Sequence, residues 1–179
     1  MLDNDIKEVL VSKEQLEEIN ARLGAQITRD FADKNLLVIG ILKGSIYFMT
    51  DLTRCIDLPL KLDFMAVSSY GGGTTSTGAV QIIKDVDINL AGYDVLLVED
   101  ILDSGRTLDY VRTMLSARGA NSISIVTLLD KPARRVVDLT PDYVGCDVPD
   151  EFVVGYGLDY DQKYRNLPYI GALKREIYE

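Results

Sequence analysis

The 179-residue chain contains no histidine. That absence excludes a Ser-His-Asp triad, a Cys-His pair and a histidine-ligated zinc site, and it leaves proton transfer to carboxylates, lysine or tyrosine. A bound metal is then expected to be a hard cation on oxygen ligands. Cysteine is scarce as well: Cys55 and Cys146 show no metal-ligand spacing, so buried free thiols are expected rather than a disulfide framework. Positive charge falls short of negative, with 19 Lys+Arg against 28 Asp+Glu and a formal charge of -9. Such a surface repels a phosphate backbone, so no nucleic-acid partner is expected. It still permits a phosphorylated metabolite where backbone N–H groups, a few cations and metal ions are concentrated at one site. No apolar run approaches the length of a membrane span. The opening Met1 to Asp5 offers neither a basic n-region nor an apolar h-region, so the expected location is the cytoplasm, with no membrane partner.

What is present suits one compact domain over residues 1–179, since 47% of the chain is hydrophobic and 26% charged. Ser12-Lys13-Glu14-Gln15 fits a capping box, and Leu16, Ile19, Leu23, Ile27 and Phe31 follow at helical spacing. Leu36 to Leu42 predicts a strand buried on both faces, followed by Lys43-Gly44 and a helix through Ile46, Phe48, Met49 and Leu52. Leu60, Leu62, Phe64 and Ala66 alternate with Lys61, Asp63 and Met65, the period of a half-exposed strand. Ser68 to Gly78 gathers Gly, Ser and Thr around one tyrosine and predicts a mobile loop or lid. Val80 to Ile83 resumes the alternation. Val95 to Val98 predicts a strand running into Glu99, Asp100 and a turn, before a helix from about Arg106 to Arg118 that Gly119 stops. Ser122 to Leu129 repeats the buried-strand pattern and completes a strand-helix-strand unit. The expected fold is therefore α/β and doubly wound, with a mainly parallel sheet. Beyond Pro132, Tyr143-Val144 and Phe152-Val153-Val154, with turn signals at Pro149, Gly155 and Gly157, predict small strands capping that sheet.

Ligands of open parallel sheets bind at the carboxyl ends of strands, which draws attention to Val95-Leu-Leu-Val-Glu-Asp-Ile-Leu-Asp-Ser-Gly-Arg-Thr107. Asp103 and Ser104 can cap the helix that begins near Gly105, whose free N–H groups attract an anion. A phosphate fits there, helped by the Ser104 and Thr107 hydroxyls. Glu99 and Asp100 can accept hydrogen bonds from vicinal ribose hydroxyls, and their charge favours a sugar carbon that becomes positive. No G-x-x-x-x-G-K-[ST] or G-x-G-x-x-G occurs, which counts against nucleotide kinases and dehydrogenases.

This segment, four apolar residues followed by two acids and a D-[ST]-G-x-T turn, resembles the phosphoribosyl-pyrophosphate motif of the type I phosphoribosyltransferases. The whole chain is similar to the hypoxanthine-guanine branch of that family. The resemblance implies the type I phosphoribosyltransferase fold, with a small hood of short strands and termini. It also implies purine salvage: transfer of the 5-phosphoribosyl group from phosphoribosyl pyrophosphate (PRPP) to hypoxanthine or guanine, giving IMP or GMP plus pyrophosphate.

The resemblance extends to individual residues. Glu99, Asp100, Asp103, Ser104, Gly105, Arg106 and Thr107 would hold the ribose and phosphate. Leu42-Lys43-Gly44 would carry a cis peptide whose amide meets pyrophosphate, and Ser69-Tyr70 would head a lid that closes over the reaction centre. Lys131 would donate to the purine O6. The stretch Glu151-Phe-Val-Val-Gly-Tyr-Gly-Leu-Asp159 would place Phe152 against the purine ring, Val153 along its edge and Asp159 near purine and metal, while Arg165 would meet pyrophosphate. Mg2+ would sit on Glu99, Asp100 and Asp159, and Asp103 would be the general base for the purine N7 proton. A homodimer or homotetramer is implied. Glu151 departs from relatives that carry a basic residue there. Two other readings are a xanthine-preferring relative and a nucleic-acid-binding regulator with the same fold; the second would need a basic face or an added winged-helix domain, and neither is visible.

Overall fold

The computed structural model describes residues 2–69 and 80–179; the expected lid, including Tyr70, lies outside them except for its first residues. Six strands form the main sheet. They are β2 (Leu36–Leu42), β3 (Lys61–Ser69), β4 (Val80–Lys84), β5 (Asp94–Leu102), β6 (Ser122–Asp130) and β7 (Tyr143–Asp147), in the order β4-β3-β2-β5-β6-β7. All neighbours are parallel except β4, which runs antiparallel to β3. Helices α1 (Lys13–Asp30) and α2 (Ile46–Arg54) cover one face and α3 (Arg106–Ala117) the other.

The apolar runs show why both faces are covered. In β2, Leu36 and Val38 enter the core with α1 and α2, whereas Leu37, Ile39 and Ile41 enter the core with α3; β5 divides Leu96 and Val98 from Val95 and Leu97 in the same way. Each such side chain contributes about 1.5–3 kcal/mol on burial, so an uninterrupted apolar strand is stable only between two helical layers. Helix α1 begins at the expected capping box: Ser12 Oγ accepts from the Gln15 N–H at 3.3 Å, and Gln15 Oε1 accepts from the Ser12 N–H at 2.8 Å. Gly119 ends the α3 region at a φ of 87°.

Three expectations are corrected. The two thiols are free but not buried, Cys55 being exposed and Cys146 half-buried. In β3, Leu62 is 48% exposed whereas Asp63 is 7% exposed and Met65 fully buried, so the outer face is not simply the one carrying the polar residues. The cause is the connection to β5. Asp63 accepts hydrogen bonds from the N–H groups of Phe64, Asp87 and Ile88 at 2.7, 2.8 and 3.1 Å, with the Lys84 ammonium 3.7 Å away. Tyr143–Asp147, expected among the capping strands, is instead the parallel edge strand β7, paired to β6 from Val126↔Tyr143 to Asp130↔Asp147. The separate hood is a three-stranded antiparallel sheet of β1 (Ile6–Val11), β9 (Ile170–Leu173) and β8 (Val153–Val154). It unites the two ends of the chain over the carboxyl edge of the main sheet. No helix is long and apolar enough to cross a membrane among the described residues.

Asp63→Ala is expected to cost about 2–4 kcal/mol in urea unfolding, because three N–H groups and an ammonium lose their acceptor. Asp63→Asn, which keeps one oxygen acceptor, should lose less. Equal stability of all three proteins would remove Asp63 as the anchor of the β4–β5 connection.

Candidate active site

Because β2, β5 and β6 are adjacent and parallel, the segments that leave their carboxyl ends emerge side by side. The Leu42–Lys43 peptide at the end of β2 is cis. Gly44 follows it close against Asp100: a Cβ there would lie 1.6 Å from Asp100 Oδ2, so a larger residue would force that carboxylate to move. Strand β5 was expected to stop at Val98 but continues through both acids, held by β6 in the pairs Glu99↔Thr127, Ile101↔Leu129 and Leu102↔Asp130. Glu99 and Asp100 are therefore fixed by the sheet rather than by a turn.

These two carboxyls are half-buried neighbours. Desolvation, followed by the charge of Asp100, pushes the Glu99 carboxyl well above its ordinary range. Desolvation also raises Asp100, offset by hydrogen bonding with Glu99 and from the Ile101 N–H and by the positive charge of Arg165. A buried carboxylate pair with so little compensation fits a hard divalent cation. Among the described residues no three acidic groups come together as one metal cluster. Glu99, Asp100 and Asp159 therefore do not form one preassembled cluster. Asp159 is paired to Arg165 at 2.9 Å and accepts the Gln162 N–H at 2.8 Å. Glu99→Gln is expected to raise stability without ligand by on the order of 1 kcal/mol, because it removes one of two half-buried, adjacent acidic groups. Thermal melting checks this; a lower melting temperature would mean that the pair is already compensated.

The turn into α3 differs from the expected cap. The N-cap is Gly105 at φ 83°, without a side-chain cap bond, and Ser104 Oγ stands at the limit of hydrogen bonding, 3.5 Å from the Arg106 N–H. A Cβ at Gly105 would lie 2.9 Å from both Arg135 and Val137, so this sharp left-handed turn excludes larger residues. Asp103 and Ser104 instead line a cavity of about 250 Å³ together with Glu99, Gly105 and Thr107. Arg106 is exposed and does not line it.

Asp103 also lines a second cavity of about 620 Å³ with Lys131, Phe152, Val153 and Asp159. Its Oδ1 is buried and has no hydrogen-bond partner, while Oδ2 lies 3.5 Å from the Arg134 guanidinium. Lys131 is 8% exposed, and its ammonium donates to the Glu151 carbonyl at 2.8 Å with Asp150 at 3.9 Å. Desolvation, followed by Arg134, lowers its pKa from the ordinary lysine value. Phe152 has one ring face stacked on Tyr178 at 4.9 Å and Tyr160 edge-on at 5.5 Å, yet it remains 38% exposed. Val153 is buried in the hood, paired to Ala172. Lys43 and Arg165 converge on the Gln162 side chain, at 3.1 and 3.2 Å.

Several lining groups have no signal in the sequence. Arg134 bridges Asp103 and Asp150, the latter at 2.5 Å. Ile101 borders both cavities, and Tyr178 arrives from the short helix α4 (Arg175–Tyr178) at the far end of the chain. Gly157 was visible only as a turn signal; a Cβ on it would lie 2.0 Å from the Gly44 carbonyl.

The phosphoribosyl transferase domain family matches residues 9–161. The hypoxanthine-guanine phosphoribosyltransferase of Streptococcus thermophilus is 56% identical over 178 residues, 99% of each chain. A hypoxanthine phosphoribosyltransferase crystal structure from Staphylococcus aureus superimposes with a TM-score of 0.96 at 56% identity, covering 99% of this chain and 97% of that one. A hypoxanthine-guanine phosphoribosyltransferase from Bacillus anthracis, with a HEPES molecule in its active site, gives 0.90 at 48% identity over 94% and 99%.

Proposed function

The chain belongs to the phosphoribosyltransferase family, and on that premise we propose how its residues divide the reaction. It is a purine-salvage enzyme that transfers the 5-phosphoribosyl group from PRPP to hypoxanthine or guanine, releasing pyrophosphate and giving IMP or GMP. The observation that carries the assignment of roles is the position of Asp103, which borders both cavities. A ribose phosphate in the smaller cavity and a purine in the larger one would meet at this residue.

The 5'-phosphate binds in the Ser104–Thr107 turn at the start of α3, where N–H groups and the Ser104 and Thr107 hydroxyls donate and Arg106 adds charge from outside. Glu99 and Asp100 accept the ribose hydroxyls and favour positive charge at C1' as its bond to pyrophosphate breaks. Gly44 presents its backbone without a side chain in the way, and Lys43 and Arg165 neutralise the diphosphate. Lys131 donates to O6, Phe152 supplies its open ring face for stacking, and Val153 meets the purine edge through its backbone. As N9 bonds to C1', the unpaired Oδ1 of Asp103 takes the proton from N7. Glu99 and Asp100 would hold Mg2+, with Asp159 as a further oxygen ligand, and the ion would supply charge neutralisation to the leaving group. Among the described residues no three acids come together, so substrate and water would complete the oxygen ligands of such an ion. The reading extends to residues 1–179 as a single domain, to a lid headed by Ser69 and Tyr70, to a cytoplasmic location, and to a homodimer or homotetramer.

Product formation from hypoxanthine, guanine, xanthine and adenine, with Mg2+ and with a chelator, tests this reading. Hypoxanthine and guanine should give nucleotide only with the metal. Preference for xanthine, or full activity in chelator, would overturn it.

A further inference from the structure

Gly155, Tyr156 and Gly157 form a turn directly behind the diphosphate end of the site, and all three have positive φ, at 100°, 50° and 106°. The turn holds two of the groups assigned above. The Gly157 N–H donates to the Arg165 carbonyl at 2.9 Å, and the Gly157 carbonyl accepts from the Arg165 guanidinium at 2.6 Å. Its Cα packs so closely on the Gly44 carbonyl that no Cβ fits between them. The guanidinium direction of Arg165 and the backing of Gly44 thus both depend on where Gly157 stands.

The left-handed conformation is natural for the two glycines and disfavoured for the tyrosine between them, so surrounding contacts must hold Tyr156 there. Its side chain points away from the site and is buried between the two helices on that face of the sheet. The hydroxyl donates to Asp51 Oδ2 of α2 at 2.6 Å and accepts from Asn20 Nδ2 of α1 at 3.0 Å. Asn20 is fixed in turn by donating to the Leu16 carbonyl at 2.9 Å, and the Tyr47 ring stacks on Tyr156 at 6.2 Å. One phenol therefore ties the turn to both helices. None of Tyr156, Asp51 or Asn20 lines either of the two cavities.

We propose that Tyr156 is a positioning residue for PRPP: its hydroxyl pins the 155–157 turn to Asp51 and Asn20, and through Gly157 the turn aims Arg165 and backs Gly44. This rests on the assignment of Gly44 and Arg165 to the diphosphate. Tyr156→Phe keeps the ring and removes the pin. KM for PRPP should rise about tenfold, as expected when one charge-assisted contact loses its alignment, while KM for hypoxanthine stays unchanged. Amide hydrogen exchange at Gly157 should accelerate in the same variant without substrate. Asp51→Asn, which retains an acceptor for the hydroxyl, should give a smaller rise than Asp51→Ala. A purely structural role would lower melting temperature and leave the two KM values in their wild-type ratio. Unchanged exchange at Gly157 overturns the proposal whatever the kinetics. If exchange accelerates but KM for PRPP does not move, Arg165→Gln separates the two failures: a raised KM for PRPP in that variant sinks only the role of Tyr156, and an unchanged one sinks the assignment of Arg165 as well.

Discussion

Asp103→Asn should lower turnover about 10²- to 10⁴-fold, the usual span for a lost general base, with little change in KM for PRPP. Asparagine has nearly the same shape and can keep an oxygen toward Arg134, so the surrounding turn has no cause to move. It offers no basic oxygen where Asp103 Oδ1 is buried without a partner. The proton on purine N7 then has no acceptor when the bond to C1' forms. A steady-state kcat measured beside a thermal melt separates chemistry from folding. Near-normal turnover in a folded variant would take Asp103 out of the mechanism, and an equal rise in both KM values would recast it as a binding residue.

The second large effect concerns the base. Lys131 is a buried donor with no acceptor capacity, and the 6-amino group of adenine is also a donor. One of its three N–H bonds is spent on the Glu151 carbonyl, which leaves others for a purine O6. Adenine would leave the ammonium facing another donor, and sites built on such pairing discriminate by roughly 10⁴-fold. Lys131→Met, similar in length and without charge, should lower kcat/KM for hypoxanthine and guanine about 10²-fold, leave PRPP binding in place and narrow the gap to adenine. Full preference for 6-oxopurines in that variant would move O6 recognition to another group.

Local pattern made most of the layers legible. The helix at Ser12, the doubly buried strands at Leu36 and Val95, and the α3 helix ended by Gly119 carry local signals of capping, periodicity and continuous apolar run, and they appear where the sequence predicts them. The motif at Val95 to Thr107 likewise identified the strand-to-helix crossing that lines both cavities. Assigning Lys131, Phe152 and Asp159 to one place needed the family resemblance, because nothing local joins them; the structure brings all three to the larger cavity.

The sequence by itself determined the α/β alternation, the exclusion of histidine chemistry and the position of the glycine turn into α3, because periodicity and composition act at short range. Only the tertiary structure decided which face of β3 carries the buried Asp63, since its three N–H donors include two from a segment more than twenty residues away. It also decided that Tyr143–Asp147 completes the main sheet rather than the hood, as strand pairing depends on a partner edge that no local pattern names. The same holds for Arg134 against Asp103, Gly157 against Gly44 and Tyr156 against Asp51. Each contact joins residues distant in the chain, and its strength comes from burial and alignment that exist only after the layers have packed.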